Sequence, residues 1–303
     1  MSMQTNPNLA HSENAPFFIV PYLKLIRPKQ WTKNLFVFGG LFFSHNLMHA
    51  DKVQLAIWTF LAFCLISSAV YVLNDIVDVE KDRMHPKKKN RPLAAGQIRI
   101  PMAVFYGLLL FVSAVSIASI LGLKVLGIVL VYFMMNVLYS FMLKNIVLVD
   151  VFVIALGFVF RVLAGTFALP VEPSPWLLLC TFLLSLFLGL AKRRAEILVL
   201  QSGAGSHRKI LEEYNADKLI DQLISVVSSA TIMAYALYTF NSPEGQRMMY
   251  TIPFVIYAMF RYLYLVYKKE GGGEPANILI GDKPFLISCV LFAIVALAII
   301  YVL

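Results

Sequence analysis

Apolar stretches about as long as a bilayer is thick recur along this whole chain. A helix needs roughly 20 apolar residues to cross the hydrocarbon core of a membrane, and runs of about that length follow one another with polar connections between them. A composition of 59% hydrophobic and 14% charged residues is too apolar for a soluble domain. We therefore predict an all-α, polytopic membrane protein, with helices around a central cavity. Its nine predicted spans are 34–50, 53–73, 101–122, 124–143, 147–169, 175–191, 219–240, 250–267 and 285–303.

The formal net charge of +9 is distributed unevenly between the predicted connections. Lysine and arginine concentrate at residues 24–33, 81–99, 192–218 and 261–283 and at Lys144, and these segments alternate with poorly charged ones. Connections rich in basic residues stay in the cytoplasm. The pattern predicts a cytoplasmic N-terminus and, with nine spans, a C-terminus on the opposite side.

The remainder of the chain predicts little besides membrane helices. Residues 1–16 are polar and patternless, which predicts a disordered tail before a single transmembrane domain at 17–303. Residues 17–30 are expected to form a helix at the membrane surface. Three cysteines lie singly in apolar runs, which is typical of small core residues rather than of a disulfide or metal framework: Cys64, Cys180 and Cys289.

Three carboxylates follow the second predicted span. Asp75, Asp78 and Asp82 are spaced at i, i+3 and i+7, beside Asn74, and on a continuous helix they would share one face. Like charges on one face repel each other unless a cation lies between them. A donor set of oxygens suits Mg²⁺, which often bridges to substrate phosphates. The spacing therefore indicates a diphosphate site at the membrane surface.

The residues that follow extend this segment into a longer motif. Asn74-Asp75-x-x-Asp78-x-x-x-Asp82 precedes His85-Pro86-x-Lys88-x-x-Arg91-Pro92-Leu93-Ala94-x-Gly96. This order resembles the first aspartate-rich motif of the UbiA-type intramembrane prenyltransferase superfamily. The resemblance implies a nine-helix membrane enzyme in which Asp75, Asp78 and Asp82 bind a diphosphate through Mg²⁺. If the group that attacks the donor is itself a phosphate, it is already anionic and needs no general base. His85 is therefore expected to make a loop contact or a hydrogen bond to phosphate.

The connection after the sixth span distinguishes branches of that superfamily. Many members carry a second Asp-x-x-x-Asp motif there, whereas this chain has Lys192-Arg193-Arg194-Ala195-Glu196. That cluster resembles the branch that makes decaprenylphosphoryl-phosphoribose, as do Leu211-Glu212-Glu213-Tyr214, Arg27-Pro28-x-Gln30-Trp31-x-Lys33-Asn34 and Tyr139-Ser140-x-x-Leu143-Lys144. The resemblance implies phosphoribosyl pyrophosphate as donor and a polyprenyl phosphate as acceptor.

Such a pair of substrates requires cations from the protein as well as metal. Phosphoribosyl pyrophosphate adds a 5-phosphate to its diphosphate, the acceptor adds another phosphate, and arginine binds phosphate in a bidentate manner. The candidate substrate-binding residues are Asn74, Lys33, Lys88, Arg91, Tyr139, Lys144, Arg161, Lys192, Arg193, Arg194 and Glu196, with Asp282 as a further site candidate. Three consecutive basic residues cannot all face one site. At least one of 192–194 is therefore expected to be an ordinary cytoplasmic flank.

Two charged residues lie within the fifth predicted span. Asp150 and Arg161 are on one helical face but three turns apart, too far for a direct salt bridge. Because a charge in the bilayer needs a partner or a wet cavity, both are expected to face the bundle interior and to find other partners. Asp150 is a candidate catalytic residue that stabilises positive charge on the ribose. Gly157 and Gly165 lie on the Arg161 face and would allow close helix approach.

The residues and the resemblance together predict an enzyme with a cytoplasmic Mg²⁺ site. The resemblance implies that it transfers 5-phosphoribose to a polyprenyl phosphate and that it lies in a bacterial inner membrane. The substrates and the bilayer are its expected partners, and no nucleic acid is expected. One alternative is a prenyltransferase that joins a prenyl diphosphate to an aromatic acceptor, in which Asp217 and Asp221 supply a second metal site. Another is a transporter or lipid-binding protein without chemistry, which the clustered carboxylates disfavour.

Overall fold

The structure, a computed structural model, describes residues 19–86, 88–169, 171–201, 213–214, 219–268, 278 and 281–302. These residues form helices and connecting turns, and no strand occurs among them. The predicted all-α class is confirmed. The predicted tail at 1–16 lies outside the described residues.

Helices of membrane-spanning length dominate the fold. In chain order the α-helices are α1 (Ile19–Ile26), α2 (Gly39–Phe42), α3 (Ala50–Val77), α4 (Val79–Met84), α5 (Ile100–Leu121), α6 (Leu123–Phe141), α7 (Val149–Ala168), α8 (Pro175–Gln201), α9 (Leu219–Phe240), α10 (Ile252–Lys268) and α11 (Lys283–Tyr301). Short 3-10 helices cover Pro28–Phe38, Lys88–Asn90, Leu143–Asn145 and Gly245–Thr251. Within the described ranges, eight helices are long and apolar enough to cross a membrane, and they correspond to the last eight predicted spans.

The first predicted span is wrong as a continuous helix at 34–50. The chain instead forms α1, the 3-10 helix Pro28–Phe38 and then α2. Pro28 disfavours a right-handed helical conformation at the residue before it, and Arg27 adopts the left-handed region with φ 51°. The helix is thus interrupted at Arg27 and Pro28, and the chain continues as a 3-10 helix up to Phe38.

This broken run still covers the depth of a membrane span. It begins where Arg27 contacts Asp75 near the end of α3, and it ends where Leu41 packs near Ala56 at the start of α3. A 3-10 helix rises about 2.0 Å per residue, so the 11 residues of Pro28–Phe38 extend about 22 Å. The four residues of α2 add about 6 Å. That length approaches the roughly 30 Å of the hydrocarbon core.

The broken run packs closely on α7 because glycines remove the intervening side chains. A Cβ added at Gly165 would lie 1.9 Å from the carbonyl oxygen of Val37, and one at Gly40 would lie 2.6 Å from Cγ2 of Thr166. Neither position accommodates a larger residue without movement. The predicted close approach at Gly165 is confirmed, and its partner is the 3-10 helix.

The bundle buries two large apolar cores. One surrounds Phe63 and Val129, where α3, α5, α6 and α7 meet. The other surrounds Phe187, Ile224 and Tyr262 of α8, α9 and α10. Between these cores α7 packs against both α6 and α8. Side chains at the start of α7 can therefore contact groups from either half of the bundle.

Candidate active site

The acidic segment bends at its middle residue. The predicted continuous helix through 75–82 is interrupted, because α3 ends at Val77 and α4 begins at Val79, with Asp78 at the junction. Asp75 and Asp82 are buried and meet, whereas Asp78 is directed to a different partner. The i, i+3, i+7 spacing predicted one shared face for the three carboxylates, but in the structure they form a pair and a single residue.

Arg91 joins the pair. Its Nη1 donates to Oδ1 of Asp75 at 3.1 Å and to Oδ2 of Asp82 at 2.5 Å. One guanidinium nitrogen therefore lies between two buried carboxylates and reduces their mutual repulsion. This places the predicted substrate-binding residue Arg91 directly at the predicted metal ligands.

Arg27 also belongs to this site, although the sequence prediction did not include it. Its Nη2 donates to Oδ1 of Asp75, and its guanidinium stacks 5.0 Å from the ring centroid of Tyr71. The unfavourable left-handed backbone at Arg27 directs the chain to this position. Such strain concentrates at functional sites. The available sequence signal was an arginine directly before Pro28, at the start of a predicted span.

Asp78 pairs with Lys144 at the α6–α7 corner. Lys144 lies in the 3-10 helix Leu143–Asn145 and is buried, and its Nζ donates to Oδ1 of Asp78 at 2.7 Å. A buried lysine retains its charge only beside an acceptor. Lys144 and Asp78, both predicted site residues, thus form one ion pair that links the end of α3 to the α6–α7 corner.

The start of α7 carries a second buried ion pair. Asp150 is 0% exposed and accepts from Nε of Arg193 at 2.7 Å and from the hydroxyl of Tyr214 at 2.6 Å. Nη1 of Arg193 donates to Glu196 one turn along α8. Tyr139, at the end of α6, is close enough to Arg193 to interact electrostatically. The structure thus assembles three predicted site residues, Asp150, Glu196 and Tyr139, around Arg193, and it adds Tyr214.

Tyr214 remains a hydrogen-bond donor in this environment. Its side chain is completely buried, and burial together with the neighbouring Asp150 carboxylate raises the pKa of the phenol well above its ordinary value. The same hydroxyl accepts from the backbone N–H of Leu148 at 2.8 Å. The tyrosine therefore connects the α8–α9 connection with the first turn of α7.

Arg194 faces away from this cluster. Successive residues on a helix point about 100° apart, and Nε of Arg194 donates to Oδ1 of Asp221 at 2.8 Å on α9. Its guanidinium also stacks 4.2 Å from the ring centroid of Tyr267 on α10. The prediction that residues 192–194 would not share one site is confirmed. Asp217, the other half of the alternative metal pair, lies outside the described residues.

Arg161 lies in a separate polar cluster deeper in the bundle. It donates to Oδ1 of Asn34 at 2.8 Å, to the carbonyl of Gly157 at 2.6 Å and to the hydroxyl of Tyr132 at 3.0 Å. Its guanidinium also stacks against Phe158. No carboxylate within the described part of the chain forms a salt bridge with it. As predicted, Arg161 and Asp150 do not pair.

The other predicted site residues make more local contacts. Nδ1 of His85 accepts from the backbone N–H of Lys88 at 3.2 Å, which is the loop contact that was expected. Asp282 caps α11 through the N–H of Phe285 and binds Arg261 in a bidentate manner, a structural role. The backbone carbonyl of Asn74 accepts from the N–H of Asp78. Three further candidates also have partners: Lys33, Lys88 and Lys192.

The chemistry of the acidic pair fits a hard cation. No group of three metal-ligating side chains is assembled for a metal in the residues that the structure describes. However, Asp75 and Asp82 already direct oxygens to one nitrogen of Arg91. A Mg²⁺ ion takes such oxygens and completes its coordination with water and phosphate. The residues present therefore fit Mg²⁺, with Asp78 the third oxygen donor nearby in sequence.

Comparison with known proteins identifies the family. The model of the UbiA prenyltransferase family matches residues 34–290. A decaprenyl-phosphate phosphoribosyltransferase from Corynebacterium glutamicum is 34% identical over 276 residues, covering 86% of this chain and 81% of the relative. The enzyme of the same name from Mycolicibacterium smegmatis is 31% identical over 305 residues, covering 93% and 92%. That from Mycobacterium tuberculosis is 33% identical over 274 residues, covering 86% and 88%.

Solved structures agree on the fold. A UbiA homologue from Archaeoglobus fulgidus, bound to DMAPP and Mg²⁺, aligns with a TM-score of 0.72 at 20% identity over 93% of this chain and 100% of that one. A digeranylgeranylglyceryl phosphate synthase aligns with a TM-score of 0.67 at 20% identity, covering 93% of this chain and 97% of the other. The predicted resemblance is therefore confirmed: this chain is an integral membrane transferase and belongs to the UbiA prenyltransferase family.

Proposed function

We propose that this enzyme transfers 5-phosphoribose from phosphoribosyl pyrophosphate to a polyprenyl phosphate of decaprenyl type, with release of diphosphate. The names of the three relatives support this substrate pair, since each shares about a third of its residues with the chain across most of its length. The two ion-paired clusters at the ends of α3 and α7 offer the charged groups that such substrates require.

The observation that carries the proposal is the ion pair of Arg193. Where many family members present a second pair of aspartates, this chain directs a buried arginine towards Asp150 and Glu196. An arginine in that position favours a phosphate group of the substrate rather than a second metal. The aspartate that would serve a second metal, Asp221, is bound by Arg194 and by the Tyr267 hydroxyl instead.

The reaction exchanges one C–O bond for another. The bond between C1 of the ribose and the diphosphate breaks, and the diphosphate leaves with the electron pair. An oxygen of the lipid phosphate then forms the new bond to C1 from the opposite face. Because this oxygen is already anionic at neutral pH, no side chain has to remove a proton from it. When bound, Mg²⁺ would supply charge neutralisation for the leaving diphosphate.

The acidic cluster binds the donor at its diphosphate end. Asp75, Asp78 and Asp82 would hold Mg²⁺, with Asn74 in support. Arg91 bridges two of these carboxylates and would donate to the diphosphate oxygens of a bound donor. Arg27 would remain on Asp75 and keep that carboxylate oriented.

The Arg193 cluster binds the opposite end. Positive charge develops on the ribose as the diphosphate departs, and Asp150 or Glu196 would stabilise it. Arg193, Lys144 and Lys192 would orient the remaining phosphate groups, which is mainly a proximity effect. Lys33, Lys88 and Tyr139 complete the proposed set of substrate-binding residues. Arg161 and Arg194, which the sequence also predicted to bind substrate, are instead held by other groups of the bundle.

The proposed setting is a bacterial inner membrane with the N-terminus and both clusters on the cytoplasmic side. The basic connections support this orientation through the positive-inside rule. A cytoplasmic site would receive the soluble donor directly, while the polyprenyl tail remains in the bilayer. Thiol labelling of Lys89→Cys and Lys52→Cys, in a background with the native cysteines replaced, tests the orientation. The first should react from the cytoplasmic side and the second from the other.

The substrate assignment is tested with detergent-purified protein and Mg²⁺. One reaction contains labelled phosphoribosyl pyrophosphate and a polyprenyl phosphate, and the other contains a prenyl diphosphate and an aromatic acid. We expect label to enter the lipid phase only in the first reaction, and EDTA to abolish it until excess Mg²⁺ is restored. Product only in the second reaction would overturn the proposal in favour of an aromatic prenyltransferase.

A matched pair of acidic substitutions tests the metal ligands. Asp78→Asn should remove turnover, whereas Glu80→Gln should preserve it, because Glu80 is exposed on α4 and pairs only with Arg83 among the described residues. Equal activities of these variants would contradict the role of Asp78.

A further inference from the structure

Tyr214, in the described part of the α8–α9 connection, contacts the ion-paired cluster around Asp150 and Arg193. Tyr214 is completely buried, and its hydroxyl lies 2.6 Å from Oδ1 of Asp150. The other carboxylate oxygen, Oδ2, accepts from Nε of Arg193 at 2.7 Å. Each oxygen of Asp150 thus has its own donor from a different element. The plane of the carboxylate is fixed from both sides.

The backbone next to this cluster is strained. Leu148 has φ 66°, and the N–H of Val149 donates to the carbonyl of Val147 at 2.8 Å, which closes a γ-turn. A positive φ is unfavourable for a branched side chain such as leucine. The N–H of Leu148 donates to the Tyr214 hydroxyl. Tyr214 therefore accepts from the strained turn and donates to the carboxylate two residues later.

We propose that Tyr214 is a positioning residue that holds Arg193, through Asp150, in the orientation that binds a phosphate group of the donor. The inference rests on the proposed function and specifies how the Arg193 cluster is kept ready for substrate. The hydrogen bonds of Arg193 to Asp150 and Glu196 use Nε and Nη1, and neither uses Nη2. In this assignment Nη2 is the atom that contacts phosphate.

The chain provides a matched control for removing this hydroxyl. Tyr262 of α10 is also buried and packs its ring on Phe187 and Phe285, but its hydroxyl has no hydrogen-bond partner among the described residues. Tyr262→Phe therefore removes a buried hydroxyl without breaking a hydrogen bond. Tyr214→Phe removes one that bridges two elements.

The test compares steady-state kinetics of full-length Tyr214→Phe and Tyr262→Phe with phosphoribosyl pyrophosphate as the varied substrate. A hydrogen bond to a charged group is worth about a factor of ten or more in an equilibrium constant, so we expect the KM of Tyr214→Phe for this donor to rise about tenfold. The KM of Tyr262→Phe should stay within about twofold of the parent value. A merely structural role would lower the fraction of active protein, and with it kcat, but would leave KM unchanged.

A second comparison tests the route through Arg193. In an Arg193→Lys background the planar guanidinium is absent, so adding Tyr214→Phe should change KM by less than about twofold. An unchanged KM in Tyr214→Phe alone would overturn the inference, as would a full additional effect in the lysine background. If the parent enzyme itself fails to use phosphoribosyl pyrophosphate, it is the proposed function that fails.

Discussion

The close contact between α7 and the broken helical run makes a quantitative prediction for Gly165→Ala. The added Cβ would lie 1.9 Å from the carbonyl oxygen of Val37, 2.8 Å from its carbonyl carbon and 3.2 Å from its Cα. These atoms are backbone and cannot rotate away, so the 3-10 helix has to move as a unit. We expect the substitution to destabilise the protein and to loosen this contact.

The magnitude follows from two opposing terms. Overpacking typically costs about 1–3 kcal/mol, and a backbone clash should reach the upper end, about 3 kcal/mol. Alanine favours a helix over glycine by about 1 kcal/mol, which leaves a net loss of about 2 kcal/mol. At roughly 2–4 °C per kcal/mol, the apparent melting temperature should fall by about 4–8 °C.

Gly127→Ala is the matched control. Gly127 is also a helical glycine in a spanning segment, but a Cβ added there meets nothing within 4 Å. It gains the same helix preference without the clash, so its melting temperature should stay unchanged or rise by about 2–4 °C. Thermal unfolding of both variants in one detergent measures the difference. Equal melting temperatures would refute the reasoning, since only the clash distinguishes the two substitutions.

Three further substitutions test other parts of the structure. Arg91→Ala leaves two buried carboxylates without their shared donor, so turnover should fall by more than about tenfold. Arg83 is exposed, and Arg83→Ala should retain activity. Similar turnover rates for the two variants would contradict the bridging role of Arg91. Asp282→Ala removes the N-cap of α11 and a bidentate partner of Arg261. The free energy of unfolding should fall by about 1–2 kcal/mol, measured by thermal unfolding, and KM should not change. An altered KM would instead place Asp282 in the substrate site. Arg161→Lys keeps the charge but loses the planar donor geometry that contacts Asn34, Gly157 and Tyr132. Thermal unfolding should show that the free energy of unfolding falls by at least about 2 kcal/mol. Wild-type stability would contradict a role of Arg161 in holding these helices together.

The membrane fold was predictable because its signal is local in sequence. The bilayer imposes runs of apolar residues and alternating basic connections at each crossing. Among the residues that the structure describes, eight helices of spanning length match the predictions. The first span was misplaced because the chain breaks at Arg27 and Pro28 and then runs as a 3-10 helix up to Phe38. This 3-10 segment packs closely against α7, and a hydropathy pattern carries no information about such packing.

The composition of the site was predictable in part. Asp75, Asp78 and Asp82 became candidates through their spacing, and Arg193 and Glu196 through the resemblance of residues 192–196 to one branch of the family. The break at Asp78 was not predictable, because it depends on tertiary contacts such as the ion pair with Lys144, 66 residues away. Arg27 and Tyr214 were missed as site residues because their significance lies in the carboxylates they contact.

The sequence by itself determined that this chain crosses a membrane many times and carries its carboxylates and cations at one set of helix ends. Hydrophobicity, charge and short spacings act within one segment, so they can be inferred without the fold. Only the tertiary structure decided which charges meet: Arg91 with Asp75 and Asp82, Lys144 with Asp78, and Arg193 with Asp150. A buried charge is stable only beside a partner, and that partner comes from whichever helix packing brings within hydrogen-bond distance.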